Sequence, residues 1–369
     1  MRLKRERTKT RLSRAIIKGN SAAKKLFSVI VDAVTTVIWI ILWMPVAFLT
    51  AMAPSYYPEL ERKCAAQRIS ENIVWVLKYH RANTFYMLYG LDVKGRSSEE
   101  YIDENSFWKK LDYINYNRGL ISQTCLLRDK FLFYKYMSAN KLPVPEVFGA
   151  IKDGAYYTNQ LEKCPITDLR NETDYFLKDA NGECASFVKH IKSYHELEQI
   201  CKSLQKGFYV LQRAVHQADA LNTLNPGAIN TLRIVTLKTD DGIHVLSALL
   251  RVGTIQTGAV DNWAVGGLAV GLQHDGRLKK YGLYKPGYGS KASVHPDTGI
   301  AFESFAIPFI KEAYELAVAA HKFFYNVGAI GWDVAITDNG PVFIEGNDNF
   351  EITLMQACDR PLKHELMKG

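Results

Sequence analysis

The residues best suited to chemistry lie near the C-terminus, in two alternating segments, Ile330 to Thr337 and Val342 to Asn347, separated by Asp338-Asn339-Gly340. This pattern predicts a β-hairpin. With a three-residue loop, Thr337 faces Pro341, and counting back sets Asp333 opposite Glu345, with Asn347 two residues further along the same face. Two facing carboxylates about 5 Å apart repel unless a cation or a shared proton sits between them. Two carboxylates and an amide make an all-oxygen donor set of the kind that suits magnesium. The other face, Trp332, Val334, Val342 and Ile344, is apolar, as a buried side requires. The competing reading is a solvated sheet face that merely carries acids, and a two-residue loop would set the two acids on opposite faces.

Cations form a second group. Arg233 and Arg251 stand in the middle of the apolar segments Ile229 to Leu237 and Ile243 to Val252, where an unpartnered charge is costly. A three-residue loop at Asp240-Asp241-Gly242 puts both on one face, with Arg251 opposite Thr231 and diagonal to Arg233. Guanidinium forks so placed grip phosphate or a developing acyl phosphate; the alternative is an edge strand whose arginines reach out to water. Lys178, beside the turn Asn181-Gly182, is a further phosphate candidate. The chain has no GxxxxGK[ST] phosphate loop, GxGxxG, GxSxG or HExxH motif. His195, His274, His295 and His321 show no metal-ligand spacing, and His321 reads as a helix-face residue rather than a base.

The elements that must position these residues are short and interleaved. Leu127, Phe131 and Tyr134 recur at helical spacing, and Lys141-Leu142-Pro143-Val144-Pro145 ends that helix. Strands are expected over 174–179 and 183–191, then a helix opened by the capping-box spacing of Ser193 and Glu196, then a strand over 208–212. Pro308 opens a helix with Ile310, Ala313, Ala317 and Phe324 as its stripe, stopped by Gly328. The sheet is mostly antiparallel and lacks a regular β-α-β rhythm, which makes the class α+β.

At 369 residues the chain is long enough for about two lobes with a cleft between them. Its formal charge of +8 comes from one end: residues 1–25 hold ten bases and the single acid Glu6. Nucleic-acid binding needs basic residues spread over a folded face, so a basic tail on a near-neutral body argues against it. The tail leads into residues 33–53, an uncharged run long enough to cross a bilayer, the alternative being a buried core helix. Arg62, Lys63, Arg68, Lys78 and Arg81 follow, so both flanks are basic. Pro45 in mid-run predicts a shallow re-entrant or interfacial segment on the inner face of a membrane. Six cysteines without a CxxC pair indicate neither a zinc site nor a disulfide framework.

The stretch from about 125 to 360 resembles the ATP-grasp superfamily, and most closely the sugar-transfer-associated ATP-grasp family. The resemblance is carried by Ile229 to Thr236, Leu250-Arg251-Val252-Gly253, Asp261-Asn262 with Gly266-Gly267, His295-Pro296-Asp297-Thr298-Gly299, and Gly331-Trp332-Asp333 through Ile344-Glu345-Gly346-Asn347. It implies a two-lobe ATP-grasp fold, 121–215 as N-terminal lobe and 216–369 as C-terminal lobe, and says nothing about residues 1–120, which read on their own pattern as a tail and apolar membrane-associated segment (1–53) and a helical adaptor (54–120). It implies ATP and Mg2+ as cofactors, with Asp333, Glu345 and Asn347 as metal ligands and Lys130 and Lys178 on the phosphates. Gln212, Ala214 and Val215 would line the adenine hinge, and Arg233 and Arg251 would hold the γ-phosphate and the acyl phosphate. The loop Asp179 to Glu183 is shorter and poorer in glycine than the usual superfamily phosphate flap.

The activity implied is that of an ATP-dependent carboxylate-amine ligase in surface-polysaccharide or sugar-conjugate synthesis. Its substrate would be a carboxylated sugar or an amino acid. Its setting would be the cytoplasmic face of the inner membrane, on an anionic lipid surface, with glycosyltransferases as partners and no nucleic acid. The alternative is a catalytically weak nucleotide-binding scaffold that recruits glycosyltransferases.

Overall fold

A computed structural model describes residues 21–116, 123–170, 172, 174–182, 187–204, 206–258, 260–273 and 275–368. Most of the basic tail, Glu183 and the first residues of the expected strand 183–191 lie outside the described residues, as does His274. The chain divides into two compact units, Met1–Ser98 and Glu99–Gly369.

In the first unit, helix α1 (Ser21–Met52) is followed by α2 (Ala65–Tyr79). The part of α1 from Phe27 to Met52 is 26 residues with a mean hydropathy of 2.1, long and apolar enough to cross a membrane. Pro45 does not break it, contrary to the re-entrant expectation. One proline deletes a single ladder bond, and in a helix of 32 residues the turns on either side carry the axis through. Ala47 of α1 packs on Val76 of α2 and on Ala82, flanked by Trp43 and Met44. The buried Lys63 ammonium is held by both oxygens of Glu71, at 2.9 Å each, and by the Arg96 carbonyl at 2.7 Å.

The second unit opens with α3 (Glu104–Tyr116), α4 (Thr124–Arg128) and α5 (Lys130–Ala139). The expected single helix around Leu127 to Tyr134 is thus two. Asp129 adopts extended dihedrals between them and caps α5 by accepting from the Phe131 and Leu132 amides at 2.9 Å. Next comes a five-stranded sheet of β1 (Val147–Lys152), β2 (Ala155–Thr158), β3 (Tyr175–Asp179), β4 (Val188–Ile191) and β5 (Phe208–Arg213), in the order β2-β1-β5-β3-β4 with every pairing antiparallel. Helix α6 (Tyr194–Ser203), capped by Ser193, packs Leu197 against Tyr175, Leu177 and Leu211. The two-residue alternation of β3 therefore turns Phe176 and Lys178 to the other face.

After α7 (Asp219–Leu224) a seven-stranded antiparallel sheet is built from β6 (Thr231–Thr239), β7 (Gly242–Val252), β8 (Leu268–Leu272), β9 (Leu278–Tyr284), β10 (Lys291–Ala292), β11 (Ala329–Thr337) and β12 (Gly340–Asn347). Its order is β10-β9-β8-β7-β6-β11-β12. Helix α8 (Ile310–His321) covers one face, packing Ala313, Ala317 and Ala320 on Ile234, Trp332 and Val334. It starts two residues after Pro308 and ends before the expected stop at Gly328, because Phe309 takes a left-handed conformation at its start (φ 54°) and the chain turns again after His321. The class is α+β, with an apolar N-terminal helix. Burial of the α8 face leaves the opposite face of the large sheet to carry the polar residues.

Candidate active site

Asp333 pairs with Glu345 across β11 and β12, and Gly331 pairs with Asn347. The route to that register differs from the expected one. The turn has two residues, since Thr337 pairs with Gly340, and a β-bulge at Ile344 then supplies the extra residue that restores the pairing at Asp333. Gly340 makes the tight turn at φ 115°, while the Thr337 hydroxyl donates to its carbonyl at 2.9 Å. The bulge also corrects the expected apolar face: Phe343, not Ile344, joins Trp332 and Val334 in the core.

The cationic hairpin is built by the same device. Thr239 pairs with Gly242, a bulge shifts the ladder between Val235 and Thr236, and Arg233 comes to lie opposite Leu249 on one side and Asp333 on the other. Arg233 donates from Nε to Asp333 Oδ1 at 2.5 Å and from a terminal nitrogen to Oδ2 at 3.1 Å. Arg251 reaches Asp333 Oδ2 at 3.1 Å and Asp261 Oδ1 at 3.0 Å, and donates to the Thr231 hydroxyl. That hydroxyl and the Thr231 amide donate in turn to Asp261 Oδ2, at 2.5 and 2.8 Å. Neither arginine reaches out to water from an edge strand: both lie inside the sheet and are paired.

These partners sort the two carboxyls. Asp333 is 1% exposed, and burial alone would raise its pKa; the Arg233 and Arg251 guanidiniums outweigh that and hold it at about 2. Glu345 has no such pairing. Burial pushes it up, and the Asp333 charge adds to the rise. The two carboxyl residues face each other across the ladder, and Asn347 Nδ2 lies 3.4 Å from Glu345 Oε1. Arg251 is raised: burial works against its charge, but Asp261, Asp333 and Glu345 more than compensate.

A cleft opens beside β12, lined by Lys130, Lys178, Gln212, Phe343 and the bulge residue Ile344. Lys130 starts α5 and donates to the Gly182 carbonyl at 2.6 Å, while Lys178 donates to Gln212 Oε1 at 2.9 Å. Burial lowers Lys178 to about 8, with Glu345 opposing and Lys130 adding to the fall. Ala214 is buried and its amide donates to the Asp174 carbonyl at 3.0 Å; Val215 is half-buried beside it. Of the expected hinge, then, Gln212 reaches the cleft wall, and the Ala214 N–H is already spent within the sheet.

Two histidines have structural roles. His321 is buried between the Thr236 hydroxyl (2.7 Å) and the Val327 carbonyl (2.9 Å), and burial lowers it to about 4, so it is neutral. His295 is buried with Nε2 2.9 Å from the Gly253 carbonyl, and Asp297 in the same motif accepts from the Ile255 amide at 2.8 Å, so this segment ties down the loop after β7. Three further residues shape the site. Asp261 orients Arg251, and its place beside Asn262 in a conspicuous segment was the available signal. Asp348, directly after Asn347, is gripped by Arg128 at 3.0 and 2.9 Å and by the Tyr116 hydroxyl. The Asn115 amide of α3 donates to the carbonyls of Ala329 and Asp348 and accepts from the Gly328 and Ala329 amides, tying the start of β11 to the end of β12. No local pattern marks Asn115 or Asp348.

Residues 185–368 match the family model of sugar-transfer associated ATP-grasp proteins. The chain carries an ATP-grasp domain. No curated protein matches the chain. Among solved structures, it is similar to an L-amino acid ligase from Bacillus licheniformis (14% identity, 64% of this chain and 44% of that one, TM-score 0.37). It is also similar to the D-alanine–D-alanine ligase of Bacillus anthracis (12%, 66% and 63%, TM-score 0.37) and the biotin carboxylase of Campylobacter jejuni (12%, 66% and 46%, TM-score 0.41). The chain spans less than two thirds of the length of each.

ATP-grasp enzymes use ATP and typically Mg2+, and the donor set of this domain fits a divalent ion. Asp333 and Glu345, paired across the ladder, and Asn347, two residues on from Glu345, offer carboxylate and amide oxygens, the donor chemistry that suits a divalent cation. Asp333 Oδ1 meets only one arginine nitrogen and keeps a second lone pair, whereas Oδ2 faces both guanidiniums.

Proposed function

We propose that the protein is an ATP-dependent carboxylate-amine ligase that activates a carboxylated sugar or an amino acid at the cytoplasmic face of the inner membrane. The observation that supports this reading is Glu345, a carboxyl pushed up by burial and by Asp333, within electrostatic reach of Arg251 and of Lys130 and Lys178, the two lysines that line a cleft beside β12.

In this reading Lys130 and Lys178 bind the polyphosphate, and the walls Phe343 and Ile344 receive the base. Asp333, Glu345 and Asn347 would hold magnesium, which would supply charge neutralisation for the phosphates. Arg233 keeps its distal guanidinium nitrogen, and Arg251 its remaining N–H donors, for the γ-phosphoryl group as it passes to the substrate carboxylate. The carboxylate oxygen attacks phosphorus and ADP departs; the amine then attacks the acyl carbon and phosphate leaves. The protein contributes positioning and electrostatic stabilisation. Asp261 and Asp333 hold the guanidiniums in place before the substrate arrives.

Helix α1 supplies the membrane attachment, in keeping with its apolar length and the bases on both sides of it. This location places the domain on the side that holds ATP, next to glycosyltransferases that would consume its product.

The test is thermal stability of the full chain in detergent with ATP and magnesium, singly and together, for wild type and Glu345→Ala. Stabilisation of the wild type that needs both, and is lost in the variant, is expected. ADP release that depends on an added carboxylated sugar or amino acid, together with an amine, would establish the ligase. A nucleotide shift without turnover on any such pair would leave a nucleotide-binding scaffold.

A further inference from the structure

The residues proposed for phosphate and those proposed for magnesium come from elements far apart in sequence, and an ion pair joins the two. Arg128, Asp129 and Lys130 are consecutive at the junction of α4 and α5. Asp129 holds extended dihedrals there and caps α5, which fixes the direction of the chain on both sides of it. Lys130 is anchored through its own amide, which donates to the Ala180 carbonyl at 2.9 Å, and its charge reaches Glu345. The end of β12 runs against the same junction. Gly346, between Glu345 and Asn347, lies so close that a Cβ there would come within 2.7 Å of Leu127 in α4 and 3.2 Å of Phe133 in α5.

Arg128 closes this contact one residue beyond Asn347. Its Nε donates to both Asp348 oxygens, at 3.0 and 3.2 Å, and a terminal nitrogen donates to Oδ2 at 2.9 Å. The Tyr116 hydroxyl, at the end of α3, donates to the same carboxylate and accepts from Arg128. Asp348 is 2% exposed and Arg128 is half-exposed, so the buried carboxylate is met by a cation that reaches it from the rim. Along the chain the spacings are short. Consecutive Cα atoms are about 3.8 Å apart, which puts Arg128 within roughly 7 Å of Lys130 and sets Asp348 directly beside Asn347.

We propose that Arg128 and Asp348 are positioning residues whose ion pair sets Lys130 against Glu345 and Asn347, so that phosphate at the lysine and magnesium at the hairpin strengthen each other's binding. Neither residue touches nucleotide or metal in this assignment. Three features suit the pair to the task. A guanidinium fork on a carboxylate fixes orientation as well as distance, which the point charge of a lysine does not. Burial makes the partner of Asp348 costly to lose. The base of the strut is also held, since the Asn115 side chain donates to the Asp348 carbonyl at 2.9 Å. This inference rests on the ligase reading for the nucleotide and its metal.

The experiment is calorimetric titration of the full chain in detergent with ATP, once in excess magnesium and once in EDTA, with thermal melting of each protein alone. The proteins are wild type, Arg128→Gln, Asp348→Asn, the double variant and Arg128→Lys. The ratio of the two ATP affinities measures the coupling, and the binding of magnesium to ATP in solution is common to all five. Each single variant should lower the ratio by about tenfold, inside the usual range of coupling between two sites. The double variant should lower it no further, because the two side chains act as one. Arg128→Lys should recover part of it, keeping a charge for Asp348 without the fork. A merely structural role would lower the melting temperature and weaken ATP equally in both buffers; an unchanged ratio, or losses that add in the double variant, would overturn the proposal. Arg128→Gln, at a half-exposed side chain, decides the matter if Asp348→Asn does not fold. Wild type that binds ATP in neither buffer sinks the ligase reading and this inference with it. Magnesium-dependent binding whose ratio survives in Arg128→Gln sinks this inference alone.

Discussion

The two hairpins that build the site, β6–β7 and β11–β12, share one construction and differ in charge. Each closes on a two-residue turn between a threonine and a glycine, and each then spends one bulged residue to bring a charged side chain to the same sheet face. The cationic hairpin arrives with its charges matched: Arg233 and Arg251 are paired to Asp333 and Asp261. The anionic hairpin does not, because Asp333 is satisfied and Glu345 is left raised beside it. The difference teaches that the arginines fix the scaffold of the site, while Glu345 is the position at which, in the proposed ligase, a cation would complete it.

The largest effect expected from breaking that contrast is at Glu345 itself. Glu345→Ala should cut magnesium-ATP turnover by about a thousandfold, the scale of losing a principal electrostatic group from a site, with the apo protein at least as stable as wild type; steady-state ADP release and thermal melting check both halves. Arg251→Ala should do the reverse. It leaves Asp261 and Asp333 buried with fewer partners and should destabilise the fold by about 3–5 kcal/mol, the usual cost of orphaning a buried charge, as read by denaturant unfolding.

The register of both hairpins was legible in the sequence, but its construction was not. The alternation of Trp332, Asp333 and Val334 against Glu345 and Asn347 fixes which residues must share a face, since one face has to be buried. Whether the extra residue sits in the turn or in a bulge leaves that pattern nearly unchanged, so a three-residue loop and a two-residue turn with a bulge at Ile344 read alike. Helix ends were blurred for a related reason: Asp129 and Phe309 interrupt apolar spacing through backbone dihedrals that no periodicity encodes. Pro45 misled because helix-breaking is a local penalty that a long helix absorbs. The roles of Asp348 and Asn115 depend on contacts more than two hundred residues apart, which no local window contains.

Smaller effects sharpen the comparison. Asp333 titrates at about 2 against an ordinary 3.8, so its ion pairs stabilise the fold fully above pH 4, and that contribution is lost as pH falls through 2. It amounts to about 2 kcal/mol, and acid unfolding of wild type against Asp333→Asn should show it. Lys178, lowered to about 8, should hold phosphate as a cation only below that pH. Nucleotide affinity is therefore expected to fall by up to about tenfold per pH unit above 8, and Lys178→Met should flatten the profile; titration between pH 7 and 10 tests it. Deleting Ile344 should leave Asp333 opposite Glu345 in a plain ladder while removing one wall of the cleft. Nucleotide binding should weaken by about tenfold, in line with loss of a partly buried aliphatic side chain, and remain magnesium-dependent.

The tie made by Asn115 sets a schedule for synthesis. Its partners Gly328 and Asp348 lie 213 and 233 residues downstream. At about 5–20 residues per second a ribosome needs roughly 10–45 s to make that stretch. Through that interval the C-terminal turn of α3 is complete but has nothing to bind, and the strand carrying Glu345 and Asn347 does not yet exist. The nascent chain thus cannot assemble the β11–β12 hairpin until almost the whole protein has emerged, by which time α1, among the first elements made, has long been complete.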